Sequence, residues 1–241
     1  MRAGPSRQHA WIMKPPLIEA VDVHVSFGET PALRGASVRA DSGDFLAIMG
    51  PSGSGKSTLL HCLAGIFTPD SGEVRYAGSR LDDLPDKRRT RLRRTDFGFV
   101  FQFGQLIPEL SAADNIAMPL LLNGARRAAA YRQARGWLTR LELGELGGRR
   151  TGELSGGQAQ RIAIARALVT APRVLFADEP TGALDSRTGH QIMSLLTAVA
   201  RAEGTAIVLV THDSGVAGYA DRVVEVADGL VRDAVAAGGV R

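Results

Sequence analysis

Residues 50–57 read GPSGSGKS, a full match to the pattern G-x-x-x-x-G-K-[ST], and this stretch decides the fold. It follows a short apolar run at 45–49 and precedes a segment at 57–65 with helical character. A strand, a glycine-rich loop and a helix in that order form the context in which this pattern binds phosphate. Glycines let successive backbone N–H groups face phosphate oxygens, and the helix N-terminus adds a favourable dipole. The alternative is a glycine- and serine-rich turn that carries an exposed lysine.

The residues of this loop are expected to have separate roles at a bound nucleotide. The Lys56 ammonium neutralises the β- and γ-phosphates, and the Ser57 hydroxyl is a candidate ligand of Mg²⁺. The expected nucleotide-binding residues of the loop are Gly50, Pro51, Ser52, Gly53, Ser54, Gly55, Lys56, Ser57 and Thr58.

A second chemical signal lies at 174–179, which reads VLFADE, an apolar run that ends in two carboxylates. A buried strand of this kind delivers a carboxylate to Mg²⁺, so Asp178 is a candidate metal ligand. Adjacent residues at a strand end diverge, so Glu179 is free to face a water aligned on the γ-phosphate and is the candidate general base. A solvated acidic turn before Pro180 is the alternative.

Strand and helix signals alternate along the chain, which favours an α/β layer architecture. Strands are expected at 17–25, 34–48, 45–49, 73–76, 174–178, 207–211 and near 223–227, and helices at 57–65, 125–142, 158–169 and 187–202. Few strand signals occur between 103 and 170, so this stretch is interpreted as a helical subdomain.

The composition limits the class of protein to which the chain can belong. The chain has 241 residues, of which 44% are apolar and 22% charged, with a formal net charge of +4, values typical of a globular protein with a substantial core. Cys62 is the only cysteine, so no internal disulfide can form. No apolar run approaches the roughly 20 residues that span a bilayer. Residues 1–16 carry no apolar signal region and are expected to be a disordered leader, and 236–241 a flexible tail.

The stretch 154–158 reads LSGGQ and lies between the phosphate loop and the acidic strand. Its residues Ser155, Gly156, Gly157 and Gln158 offer a hydroxyl, close backbone approach and a helix N-terminus, which together suit a second anion site. With this motif the sequence resembles the nucleotide-binding subunits of ABC ATPases over most of its length. A helix cap with a glycine-rich entry is the alternative.

That resemblance implies a fold and a mode of assembly. The fold is a P-loop NTPase (RecA-like) core with an antiparallel β subdomain and an inserted α-helical subdomain at about 103–170, all within 17–235. Two chains pack head to tail, so that LSGGQ of one chain grips the γ-phosphate of the ATP held by the other, in a homodimer or a heterodimer with a similar ATPase.

The resemblance also implies roles for four residues outside these motifs. Gln102 matches the glutamine that senses Mg²⁺, Asp185 the aspartate at the dimer seam, and His212 the histidine that contacts the γ-phosphate and helps to position Glu179. The residue that is usually serine in the Asp185 motif is Gly182 here, which puts that seam contact in doubt. Phe27 stands where an aromatic ring stacks on adenine; a core phenylalanine is the alternative.

Within the family, stretches such as GFVFQFGQLIPELSAADNIAMPLLL resemble the macrolide-exporter and lipoprotein-release branch. The implied function is an ATP- and Mg²⁺-dependent ATPase on the cytoplasmic face of the cell membrane that powers export by a permease on a separate chain. The permease is expected to dock around 102–119, where the apolar side chains are Phe103, Leu106, Ile107, Leu110 and Met118. An ATPase for a non-transporting membrane regulator of the cell-division type, and a soluble ABC ATPase, are the alternatives.

Cations cluster at 87–94, which reads KRRTRLRR, and at Arg126, Arg127, Arg132 and Arg135. Contact with nucleic acid or anionic lipid is one interpretation, and a solvated helix is the other. No aromatic residue is interleaved with the cations of 87–94, so a nucleic-acid partner is not expected.

Overall fold

The computed structural model describes residues 15–233. The expected leader at 1–16, except for its last two residues, and the expected tail at 236–241 lie outside this range. The described part contains ten strands and seven α-helices.

The strands form two sheets. The strands are β1 Ile18–Phe27, β2 Thr30–Ala40, β3 Phe45–Met49, β4 Ser71–Tyr76, β5 Ser79–Arg80, β6 Phe97–Phe101, β7 Val174–Asp178, β8 Ala206–Val210, β9 Arg222–Ala227 and β10 Leu230–Asp233. One sheet has the antiparallel order β2-β1-β4-β5, and the other has the order β10-β9-β3-β8-β7-β6.

The α-helices are α1 Lys56–Leu63, α2 Asp86–Thr95, α3 Ala112–Leu122, α4 Arg127–Arg140, α5 Gly156–Leu168, α6 Ser186–Glu203 and α7 Ser214–Ala217. The basic stretch forms α2, and none of its residues is buried, as expected of a solvated helix. Between residues 15 and 233, none of the helices combines the length and apolarity that a membrane crossing requires.

The six-stranded sheet is the centre of the fold and confirms the α/β prediction. β9, β3, β8, β7 and β6 run parallel, and β10 closes one edge antiparallel to β9. Parallel strands present their carboxyl ends at one edge of a sheet, which is where α/β proteins bind ligands. The phosphate loop follows β3, the two carboxylates end β7, His212 follows β8, and Gln102 follows β6. The chain order therefore brings four of the sequence signals to one edge.

Two apolar layers cover the faces of this sheet. One face packs with α1 and the antiparallel sheet in a core that includes Leu33, Leu59 and Val208. The other face packs with α5 and α6 around side chains such as Ile164, Leu196 and Leu209. Full burial of one such aliphatic side chain contributes about 1.5–3 kcal/mol, so these layers hold the sheet edge that carries the site.

The stretch 103–170 is helical, with α3, α4 and α5 packed around their own apolar cluster of buried side chains such as Ile116, Leu138 and Ile162. α3 was not among the helices expected from the sequence. The helix begins at a capping box between Ser111 and Asp114, and it tolerates Pro119 within its last turn.

The strand expected over 34–48 was wrong in its bounds, whereas the strand expected at 45–49 is confirmed as β3. β2 ends at Ala40, and a turn at 41–44 separates it from β3. The Asp41 N–H donates to the Asp44 carboxylate at 2.9 Å, and Gly43 has a φ of 81°. A left-handed residue in a tight turn is readily supplied only by glycine, so the strand breaks here.

Candidate functional site

The phosphate loop is a tight ring that only glycine permits at two positions. Gly50 has a φ of 144°, and a Cβ there would lie 2.1 Å from the Val226 carbonyl oxygen. Gly55 has a φ of 105°, and its Cβ would lie 2.4 Å from the Ala32 carbonyl oxygen. The loop is therefore pressed against β9 and β2.

Lys56 opens α1 and reaches back across the loop. Its side chain is buried, and its Nζ donates to the Pro51 carbonyl oxygen at 2.7 Å. The buried Ser54 hydroxyl inside the same loop has no hydrogen-bond partner among the described residues. The buried ammonium and this Ser54 hydroxyl together favour the binding of an anion such as a phosphate.

Ser57 and Asp178 form the candidate metal site. The Ser57 hydroxyl donates to Asp178 Oδ1 at 3.1 Å, which joins the start of α1 to the end of β7. Burial raises the pKa of the Asp178 carboxyl above its ordinary value, an effect opposed by this hydrogen bond. Hydroxyl and carboxylate oxygens suit Mg²⁺, which commonly binds through one or two carboxylates and takes its other ligands from water and substrate phosphates. Between residues 15 and 233, no group of three His, Cys, Asp or Glu residues is placed to hold a metal without such help.

Glu179 points away from Asp178, toward His212. Its backbone has a φ of 47°, a left-handed conformation that is uncommon in a residue other than glycine. Strain of this kind costs about 1–3 kcal/mol and is concentrated at functional sites. Glu179 Oε1 lies 2.9 Å from His212 Nδ1, so the histidine at the end of β8 holds the carboxylate that follows β7.

Gln102 lies at the end of β6, beside the same carboxylate. A Cβ at Gly182 would lie 2.8 Å from Gln102 Nε2 and 3.1 Å from Glu179 Oε2, so these three residues are neighbours. From the sequence, Gly182 was expected to affect only the contact at the dimer seam. In the structure the glycine leaves room for the Gln102 side chain against Glu179.

These residues line one cavity of about 710 Å³. Its lining is Ser52, Gly53, Lys56, Ser57, Phe101, Gln102, Phe103, Gln105, Asp178, Glu179 and His212. A loop suited to phosphate, oxygen ligands suited to Mg²⁺ and a carboxylate held by a histidine thus share one volume. This set can bind a nucleoside triphosphate and accept a proton from a water.

The LSGGQ residues and Asp185 do not line this cavity in the described chain. Ser155 caps α5: its Oγ accepts from the Gln158 N–H at 3.3 Å, and Gln158 Oε1 accepts from the Ser155 N–H at 2.9 Å. A Cβ at Gly157 would lie 2.9 Å from Thr188 Cγ2, so the motif packs against the start of α6, which Asp185 caps. Ser155, Gly156 and Asp185 are exposed on this second surface.

Phe27 is 55% exposed, so the interpretation as a core phenylalanine was wrong. Its ring packs edge-on against Phe67, with centroids 5.9 Å apart. The structure places both rings outside the phosphate cavity, next to α1.

Two residues that hold the site together were missed from the sequence. Gln160 is buried, and its Nε2 donates to the carbonyl oxygens of Phe101 at 3.0 Å and Pro180 at 2.6 Å. Arg166 donates to the carbonyl oxygens of Gly104 and Gln105, both at 2.7 Å. Both side chains tie α5 to the segment that follows β6. A polar residue on the apolar face of α5 was the available signal for Gln160.

Comparison with known proteins identifies relatives of the whole domain. A family model described as "ABC transporter" matches residues 33–182. The "Lipoprotein-releasing system ATP-binding protein LolD" of Maricaulis maris is 48% identical over 202 residues, which cover 84% of this chain and 88% of LolD. The "Macrolide export ATP-binding/permease protein MacB" of Marinobacter nauticus is 45% identical and covers 90% of this chain. The chain spans only 34% of the length of that MacB.

Solved structures agree with the fold. The dimeric ATP-binding cassette MJ0796 in a post-hydrolysis state, bound to ADP and Pi, superposes with a TM-score of 0.83 at 38% identity. The match covers 92% of this chain and 100% of the cassette.

Proposed function

This chain belongs to the ABC transporter family, and from that premise we propose that it binds and hydrolyses ATP to drive export through a membrane permease carried on a separate chain. The observation that carries the proposal is the single cavity shared by Lys56, Ser57, Asp178, Glu179 and His212. We also propose that the chain is a peripheral subunit on the cytoplasmic face of the membrane. The support for this placement is the likeness to LolD, which is named as the ATP-binding protein of a releasing system.

The candidate site residues have separate roles in this proposal. Lys56 and the loop N–H groups bind the phosphates, and Phe27 stacks on the adenine. Ser57, Asp178 and Gln102 would hold Mg²⁺, which would neutralise charge on the phosphate oxygens. Glu179 accepts a proton from the attacking water, and His212, 2.9 Å away, fixes its orientation.

The surface that carries Ser155 and Asp185 lies outside this cavity, and it completes the site of a second copy. An α-helix N-terminus with a capping hydroxyl is suited to a phosphate. Head-to-tail pairing of two chains supplies this N-terminus to the γ-phosphate held by the partner. The relative MJ0796 is a dimer with bound ADP and Pi, which supports this arrangement.

Mixed dimers test whether Ser155 acts in the partner's site. Lys56→Ala on one chain and Ser155→Arg on the other place both changes in one composite site, so the second site stays intact. We expect each mixed dimer, in a Glu179→Gln background, to retain one ATP, whereas homodimers of either variant retain none. Counting trapped nucleotide per dimer after rapid desalting measures this. Mixed dimers that retain no ATP would contradict the composite site.

A groove beside α3 is the proposed docking site for the permease. It encloses about 240 Å³ between α2, β6, α3 and α5, and its apolar lining includes Phe99, Met118 and Leu122. Leu122 is 57% exposed. Three arginines, Arg93, Arg94 and Arg166, line the same groove. An apolar helix that also carries a carboxylate therefore fits it.

Leu106 and Phe103, which were expected from the sequence to contact the permease, are poor residues for testing this groove. Leu106 packs against the helical cluster, and Phe103, although 74% exposed, also lines the phosphate cavity. Leu122→Glu is the cleaner variant because it removes an apolar contact and adds a carboxylate that would repel an acidic partner helix.

We expect Leu122→Glu to bind ATP normally and to lose the stimulation of hydrolysis by the permease. Loss of a central apolar contact weakens an interface by about 30-fold or more. Hydrolysis is measured for the chain alone and with its co-purified membrane protein in lipid vesicles. Leu230→Glu is the matched control, since Leu230 is 40% exposed and lies on β10. Full stimulation of Leu122→Glu would contradict docking at this groove.

A further inference from the structure

Two exposed phenylalanines form a small apolar surface beside α1. Phe27 is 55% exposed and Phe67 is 36% exposed. Their ring centroids are 5.9 Å apart, with an interplanar angle of 73°. This is the edge-to-face geometry that aromatic pairs favour. The pair leaves aromatic surface in solvent, which is typical of a surface that contacts a ligand.

The segment that carries Phe67 is fixed from two sides. The N–H groups of Ile66 and Phe67 donate to the His61 carbonyl oxygen at 2.9 and 3.2 Å, which ties the segment to the end of α1. Farther along, the Asp70 N–H donates to the His24 carbonyl oxygen at 2.9 Å, and the Asp70 carboxylate accepts from the Ser26 N–H at 2.7 Å. The segment is therefore anchored to β1 immediately before Phe27.

The side chain of Phe67 is held as well as its backbone. The His61 ring packs against it with centroids 5.2 Å apart at 83°. Phe27, by contrast, is the last residue of β1, and it is followed by Gly28, which has a φ of 62° and no atom within 4 Å of where a Cβ would lie. Of these two phenylalanines, Phe67 is thus the one packed on both sides, between His61 and Phe27.

We propose that Phe67 is a positioning residue of the nucleotide site, whose ring holds Phe27 edge-on so that one face of Phe27 is presented to the purine base before the nucleotide binds. The inference rests on the proposed function, in which Phe27 contacts the base. A ring that is already oriented loses less conformational freedom on binding, and affinity rises accordingly. The effect is confined to the base and leaves the phosphate contacts of the loop unchanged.

The test compares a nucleotide with a ligand that lacks a base. ATP and inorganic tripolyphosphate are titrated, each with Mg²⁺, into Phe67→Ala, Phe67→Tyr and Phe27→Ala. We expect Phe67→Ala to weaken ATP binding by about three- to tenfold, the range of one aromatic pair, with tripolyphosphate binding unchanged. KM for ATP rises by the same factor while kcat stays at the wild-type value. Phe67→Tyr keeps the ring and restores the affinity.

Ile66→Ala is the matched control, because Ile66 is exposed in the same turn but is not part of the ring contacts. The double variant Phe27→Ala/Phe67→Ala should bind ATP no more weakly than Phe27→Ala alone, since Phe67 acts through Phe27. Normal ATP affinity in Phe67→Ala with weakened affinity in Phe27→Ala overturns this inference alone. Equal weakening toward tripolyphosphate also overturns it, since the loop itself is then damaged. If the wild-type chain itself binds no ATP, the proposed function is contradicted.

Discussion

Glu179→Gln is expected to hydrolyse ATP about 100- to 10,000-fold more slowly than the wild type, the usual cost of losing a general base, while its affinity for ATP stays unchanged. The amide keeps the size of the side chain and its contact with His212, which lies 2.9 Å from the carboxylate. It cannot accept a proton at neutral pH. The closed ATP-bound dimer should therefore accumulate.

Steady-state phosphate release and calorimetric titration with ATP check both halves of this expectation. Glu145→Gln is the matched control, because Glu145 is exposed and lies in the helical part of the chain. Near-normal phosphate release by Glu179→Gln would remove this carboxylate from the role.

Lys56→Ala is expected to fail one step earlier, at nucleotide binding. Lys56 is 7% exposed, and its ammonium donates across the loop to the Pro51 carbonyl oxygen. A charged hydrogen bond lost from such a site costs about 1.5–3 kcal/mol, which weakens ATP binding by about 10- to 150-fold. Calorimetry measures the affinity, and thermal unfolding shows that the variant is folded.

Lys87→Ala controls for the loss of a lysine charge, since Lys87 is exposed on α2. An unchanged affinity of Lys56→Ala for ATP would contradict the assignment of the phosphate loop.

The phosphate loop and the acidic pair could be located from the sequence because each lies at the end of a strand of the parallel sheet. A compact apolar run before Gly50, and another before Asp178, fixed both the strand and the chemistry at its end. The resemblance carried by LSGGQ then supplied the order of the subdomains, which the two observed sheets and the helical stretch match.

Two elements that were not predicted, β10 and α3, each carry a recognisable local sequence feature. β10 follows Asp228 and Gly229, which have φ values of 52° and 77°, a two-residue turn of the kind that closes a hairpin. An Asp-Gly pair between apolar runs was visible in the sequence and predicts this strand. α3 carries Pro119 inside the helix, and proline is disfavoured in a helix interior.

Contacts between distant segments explain the rest. The pairing of Phe67 with Phe27 joins residues 40 positions apart, and Gln160 bridges the ends of β6 and β7 from α5. Neither contact follows from periodicity or from a motif, because each depends on how the sheets and helices pack.

The most direct test of the central claim, that ATP is bound between the phosphate loop of one chain and the Ser155 surface of another, is the mass of the Glu179→Gln chain in solution. Light scattering is measured with MgATP and with MgADP. The account predicts a dimer of the 25.6 kDa chain with MgATP, a monomer with MgADP, and loss of the ATP-induced dimer when Ser155→Arg is added. A Glu179→Gln chain that binds ATP yet stays monomeric would contradict it.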